Sequence, residues 1–362
     1  MGNQLAYDAD AVVSRDGEAV SSLRYFFASS VVVGKSANSI CSRAFSGCSG
    51  LTSVSISDSV KSIGEDAFSR CIALKTIIIP NSVLSIGDCA FYECTGLTSL
   101  IIPNSVTSIG RNAFYGCSKL EEVIIPDSVV SISVGAFHGC SSLKSIVLPK
   151  SLQSLGDQTF YKCSGLTSVT LPDSLATIGN GTFYGCSELI SIVLPSTLSS
   201  IGSATFRGCS GLTSLTMAPS VTSIGNNAFF GCHGLMSVTI PDSVAFIHHS
   251  AFYKCRGMTS IVLSESLTSI SKCAFYGCSG LTSVTIPSSV KSIEDHAFFE
   301  CSRLSTLVIP DSVTSIDDFA FIGCGALANI TVPERFVTAP SFSHVAPAAV
   351  FSVPSISDFI LK

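Results

Sequence analysis

A phenylalanine returns every 23 residues without a slip, from Phe45, Phe68, Phe91 and Phe114 through Phe137, Phe160 and Phe183 to Phe298 and Phe321. Three positions after each one a cysteine keeps the same beat, from Cys48 and Cys71 to Cys301 and Cys324. A strict period of this length means one supersecondary unit repeated in a row, each copy burying its apolar face against the next. The pattern constrains the fold far more tightly than the function. A stack of like units is a surface for holding things, and what it holds depends on the side chains that point outward.

Leu97 to Cys117, LTSLIIPNSVTSIGRNAFYGC, serves as the type unit. Leu97, Leu100 and Ile102 end in the period-two alternation of a short strand with apolar residues inward. Pro103 stops that strand because it has no amide proton to give a ladder, and Asn104 with Ser105 suit the turn that follows. Val106 and Ile109 face inward on the way back, Gly110 permits a positive φ, and Ala113, Phe114 and Cys117 stand at the three- and four-residue spacing of one helical turn. The expected rung is therefore one short strand, a turn, a return segment and a turn of helix.

This unit resembles the BspA-like, or Treponema-type, leucine-rich repeat, whose copies share LxxIxIPxxVxxIGxxAFxxC, and the likeness runs from Ala37 to Phe336. Departures are local: Ser57, Ala218 and Ser264 replace the proline, His248 and Glu294 stand among the residues that replace the glycine, and Thr159, Thr182 and Thr205 replace the alanine. The resemblance implies a leucine-rich-repeat solenoid, α/β horseshoe-like and β-dominated, with a parallel sheet and irregular or 3-10 return segments. It also implies a binding or adhesion role and supplies no catalytic residues. The expected layout is an N-terminal cap over 1–36, about 13 rungs over 37–336, and a C-terminal cap or tail over 337–362. Tyr25 to Gly34 reads as a capping strand, and Phe342, Val350, Phe351, Phe359 and Ile360 make the tail apolar enough to fold over the last rung.

Only 12% of residues are charged and the net charge is -5. With no run of Lys or Arg, the footprint of a nucleic-acid binder is missing. No apolar stretch reaches the length of a membrane-spanning helix, and Met1 to Asp10 lacks the pattern of a secretory signal. Of 16 cysteines, thirteen occupy the repeated column, an odd number, and a continuous file of small buried thiols explains them better than disulfides do. Those two observations point to a reducing, cytoplasmic location. Cys41, Cys89 and Cys273 lie outside the file and are the candidates for oxidation.

Two outward columns are candidate binding surfaces. The strand alternation points Ile78, Ile101, Ile124 and Val147 outward as an uninterrupted apolar strip beside a column of Ser and Thr. An exposed strip of this kind marks a partner site, although β-branched residues also simply suit strands. The second column follows the phenylalanine and includes Tyr92, Tyr115, Tyr161 and Tyr184. Aromatics with a polar tip serve interfaces and serve equally well as half-buried packing between rungs.

Catalytic and metal signals are poor. His248 and His249 are adjacent and share no strand face, His138, His233, His296 and His344 are scattered, and the interrupted turn column Asp58, Asp127, Asp173, Asp242, Asp311 is better read as turn capping. Asn180-Gly181-Thr182 and Asn329-Ile330-Thr331 are glycosylation sequons that matter only in a secreted chain. The expected function is a non-enzymatic interaction scaffold, without cofactor or metal, whose partner is a protein or alternatively a glycan, and not a nucleic acid. An extracellular adhesin is the alternative. A last reading takes the Ser-x-Thr rows, such as Ser168 with Thr170, as an ordered-water or ice-binding face; Ile and Val interrupt those rows.

Overall fold

The computed structural model describes residues 29–342 and 350–352. The N-terminal cap up to residue 28, and the tail residues Phe359 and Ile360, lie outside the described residues. Two compact units divide the chain, one through Leu175 and one from Ala176. Each is a parallel β-solenoid.

In the first unit the apolar-polar alternation produces short strands in one row: Ser30–Val33 pairs Ser53–Ile56, Ser99–Ile101 pairs Glu122–Ile124, and Ser145–Val147 pairs Ser168–Thr170, all parallel and in 23-residue register. A second row comes from the segment expected to be an irregular return. Ser39–Ile40, Ser62–Ile63, Ser85–Ile86, Ser108–Ile109, Ser131–Ile132 and Ser154–Leu155 stack as parallel two-residue strands with every Ile or Leu inward. The second unit repeats both rows. Ser191–Val193 pairs Ser214–Thr216, Ser237–Thr239 pairs Ser260–Val262, and Ser283–Thr285, Thr306–Val308, Asn329–Thr331 and Val350–Ser352 form one run. Its two-residue strands fall into the sets Ser200–Ile201, Ser223–Ile224, Phe246–Ile247 and Ser269–Ile270, Ser292–Ile293, Ser315–Ile316.

The α/β horseshoe-like expectation is thus corrected: most rungs carry two strands rather than one, the rung of Ile78 having only Ser85–Ile86, and the described residues contain no α-helix. The only helical elements among them are the three-residue 3-10 turns Glu334–Phe336 and Pro340–Phe342. The segment Arg111 to Cys117, which has helical spacing, fails to be a helix for a backbone reason. Asn112 and Gly116 have φ of 53° and 71°, and a left-handed residue breaks a right-handed helix. Amides there alternate in their partners. Ala113, Tyr115 and Cys117 donate three residues back, to the carbonyls of Gly110, Asn112 and Phe114, whereas Asn112, Phe114 and Gly116 donate to Val134, Ala136 and His138 of the next rung at 2.7–2.9 Å. Three-residue turns put Ala113, Phe114 and Cys117 on the inner side just as a helix would, so the side-chain pattern could not separate the two.

The core is a set of files. The repeated Phe rings are all but inaccessible to solvent, and those of Phe114, Phe137 and Phe160 stack with centroids 5.3 and 5.6 Å apart. In the second unit Phe206, Phe229 and Phe252 do the same at 5.4 and 5.1 Å. Each buried ring contributes on the order of 1.5–3 kcal/mol through area removed from water. The cysteine file runs beside them as free thiols. Along the file the Sγ donates to the carbonyl of the Phe 26 residues earlier, from Cys71 to Cys324, as Cys117 does to Phe91 at 3.3 Å and Cys255 to Phe229 at 3.1 Å. Where Thr159, Thr182 and Thr205 replace alanine, the buried hydroxyl donates to the carbonyl three residues back, at 2.7, 2.7 and 2.9 Å. That bond removes the desolvation penalty that a polar group would otherwise bring to the core.

At the end of the second unit the sequence period decays and the structural repeat persists with a shorter loop. The ring of Phe342 stacks on Phe321 at 5.3 Å, and Val350–Ser352 continues the sheet beside Asn329–Thr331. Both joins are made 21 residues along rather than 23.

Candidate interaction surface

Strand alternation places the outward column of the first unit as the sequence indicates. Ile78, Ile101, Ile124 and Val147 are 81, 64, 50 and 68% exposed, while their neighbours Leu100, Val123 and Ile146 are buried. Ile101 and Ile124 are direct register partners. Ser99 and Glu122 stand opposite each other on the polar side of the strip. The hydroxyls just before the strands are committed to the fold: Thr98 and Thr167 donate to Lys75 and Lys144 carbonyls of the preceding rung at 3.3 and 2.9 Å.

The tyrosine column sits on the turn segment, not on the strands. Tyr92, Tyr115, His138 and Tyr161 form a half-buried pile with centroids 4.7, 4.3 and 4.5 Å apart. Burial, then the charge of Glu93, pushes the Tyr92 phenol up. Burial, then Lys162, lowers His138, which keeps the imidazole neutral between its two rings. Tyr184 begins the corresponding pile of the second unit, where the Arg207 guanidinium lies 5.6 Å from its ring centre and 4.2 Å from that of Phe230. Ring faces are consumed by these stacks, so edges and hydroxyls are what the column offers outward.

Sequence reasoning missed a further outward set in the second unit. Ile190 and Met236 are 55 and 63% exposed; they flank Val193 of the outward β-branched column, 66% exposed, from the position just before the strand, where most other rungs carry Thr or Lys. Listing that column residue by residue would have found them.

The chemistry for catalysis is sparse. Among the described residues no group of three or more His, Cys, Asp or Glu is placed to hold a metal ion, and no helix is long and apolar enough to cross a membrane. The buried thiols are poor nucleophiles: desolvation pushes Cys48 up to about 11 and Cys117 up to about 12. Cys89, half-buried at the edge, is also pushed up, by burial first and then by Asp66, which leaves little thiolate for oxidation.

Comparison with known proteins decides the family. The family described as BspA type Leucine rich repeat region matches residues 24–144, 130–259 and 246–346. The chain belongs to this BspA-type family. Among solved structures it is similar to a leucine-rich repeat protein from Bacteroides ovatus, with 32% identity over 90% of this chain and 84% of that one and a TM-score of 0.79. It is also similar to a leucine rich cell surface protein from Faecalibacterium prausnitzii (31% identity, 81% and 82% coverage, TM-score 0.49). The pneumococcal vaccine antigen PcpA shares the fold at 19% identity, 91% and 80% coverage and a TM-score of 0.50. No curated protein matches the chain.

The BspA-type chain is a repeat solenoid. The expected cytoplasmic location is corrected by these relatives, one named a cell surface protein and another a vaccine antigen. The physical error lay in reading free thiols as a sign of a reducing compartment. Thiols that are fully buried, uncharged and bonded to Phe carbonyls stay reduced wherever the folded protein resides, because oxidation needs an accessible thiolate.

Proposed function

We propose that this BspA-type repeat protein is a protein-interaction scaffold displayed at the cell surface, and that it docks its partner on the strip Ile78, Ile101, Ile124 and Val147. The observation that carries this is the exposure of β-branched apolar side chains on four successive rungs, none below 50%, at a position where other rungs carry Thr. Half-buried Tyr92, Tyr115, Tyr161 and Tyr184 act as rung packing that offers polar edges at the flank. Tyr115 and Tyr161 have ring neighbours against their faces, which leaves a sugar few aromatic platforms and favours a protein over a glycan. Of the expected caps, the strand Ser30–Val33 extends a sheet of the first unit and Val350–Ser352 a sheet of the second.

Capture of partners from intact cells by folded wild-type protein, compared with Ile101→Asp, tests the reading. Loss of the captured protein with an unchanged unfolding midpoint is the expected result. Equal capture by both rules out the strip as the docking face.

A further inference from the structure

Two positions after the buried phenylalanine the backbone is left-handed in every rung, and glycine fills most of these places. The exceptions are Arg70, Glu93, Lys162, Lys254 and Glu300, with φ between 54° and 60°. All five are long and charged. Asn and Asp, which tolerate this conformation best among non-glycine residues, never appear there. Backbone strain is therefore accepted in return for a long charged side chain, and such strain concentrates at functional sites.

Three of the five, Arg70, Glu93 and Lys162, lie in the first unit and two in the second. In the first, Arg70 and Glu93 lie on successive rungs and neutralise each other at 3.0 Å. In the second, Gly277 separates Lys254 from Glu300, and among the described residues neither of these nor Arg256 makes an ion pair, the Lys254 ammonium lying 5.3 Å from the centre of the Tyr253 ring. Between them opens a cleft of about 340 Å³ lined by Lys254, Arg256, Ser279, Glu300 and Ser302 with Gly277 and Gly323 at its floor. Glycine keeps the cleft open: a Cβ on Gly277 would stand 3.0 Å from the Lys254 side chain, and one on Gly323 3.0 Å from the Glu300 backbone. Backbone bonds from Lys254 to Tyr276 and from Glu300 to Ile322, at 2.6 and 2.7 Å, hold the two strained residues in place.

We propose that this cleft binds short peptides through their free termini, the carboxylate at Lys254 and Arg256 and the ammonium at Glu300. The hydroxyls of Ser279 and Ser302 then face the peptide groups in between. Two rungs at strand spacing separate the opposite charges by roughly 10 Å, the span of about three extended residues. The site lies in the second unit and is independent of the strip of the first.

Calorimetric titration with trialanine carrying both free termini tests it on the whole protein. Saturable binding is expected, weakened at least tenfold by amidating the carboxylate or acetylating the amine. Lys254→Gly and Glu300→Gly should each abolish binding without lowering the melting temperature, since glycine relieves the left-handed strain. Absence of saturable binding by trialanine, retained binding in either glycine variant, or a lower melting temperature in both would each overturn the proposal.

Discussion

The outward column of the first unit reads Ser55, Ile78, Ile101, Ile124, Val147, Thr170, with four apolar residues in a row, whereas that of the second reads Val193, Thr216, Thr239, Val262, Thr285, Val308, Thr331, with apolar residues only singly. Behind both, the files of Phe and Cys are unchanged. The fold asks only that the outward residue suit a strand, which Ile, Val and Thr all do; it demands a large ring and a small thiol inside because a stacked rung leaves no slack in volume. The outward column is thus free to vary, and its variation carries the functional information. The left-handed turn column varies as well: Arg70 and Glu93 form an ion pair in the first unit, whereas Lys162 in the first and Lys254 in the second lie over the Tyr161 and Tyr253 rings, and Glu300 is in no ion pair among the described residues.

The largest effect expected to test the sameness of the interiors is alkaline. Cys117 in the first unit is pushed up to about 12, and Cys232 in the second is raised by burial first and then by the charge of Cys209. An unfolded thiol titrates near 8.5. Because the folded values are raised, their contribution is complete below about pH 8.5, and it is lost as pH climbs toward about 12, where the unfolded chain has already released protons that the folded one retains. The loss is on the order of 1.4 kcal/mol per pH unit for each such thiol. Thermal melts between pH 7.5 and 10.5 should show a steep fall in both units, and a flat profile would mean that the thiols are not buried as described.

Next in size is truncation of the ring file. Phe114→Ala in the first unit and Phe252→Ala in the second should each cost about 3–5 kcal/mol in denaturant unfolding. A clear inequality would break the equivalence of the two cores. The outward columns should then separate the units: Ile101→Asp is expected to cost partner binding about 2 kcal/mol or more if it sits at the centre of the contact, while Thr239→Asp leaves binding unchanged. Both surface changes should stay within about 0.5 kcal/mol of wild-type stability. Matched losses of binding would erase the distinction between the two faces. Smallest is Lys162→Gly, which removes a left-handed Lys with φ of 57° and should raise stability by about 1 kcal/mol; a decrease would show that the lysine's position over the Tyr161 ring, 5.6 Å away, outweighs the strain.

The inward and outward faces were legible in the sequence because a strict period fixes which side chains share a file. Phe114, Cys117 and Ile101 fall where their spacing puts them, and the apolar strip follows from alternation alone. The backbone path was not legible in the same way. Arg111 to Cys117 has helical spacing and is a chain of turns, and Ser108–Ile109 has no more pattern than two residues can hold and is a strand. In both cases the hydrogen-bond partners lie a whole rung away, so nothing local encodes them. The short last rung, reached by Phe342 and Val350, and the cleft between Lys254 and Glu300 depend likewise on which residues the stacking brings side by side. Sequence settled the files; only the register of one rung on the next decided where each amide finds its carbonyl and which charges are left without a partner.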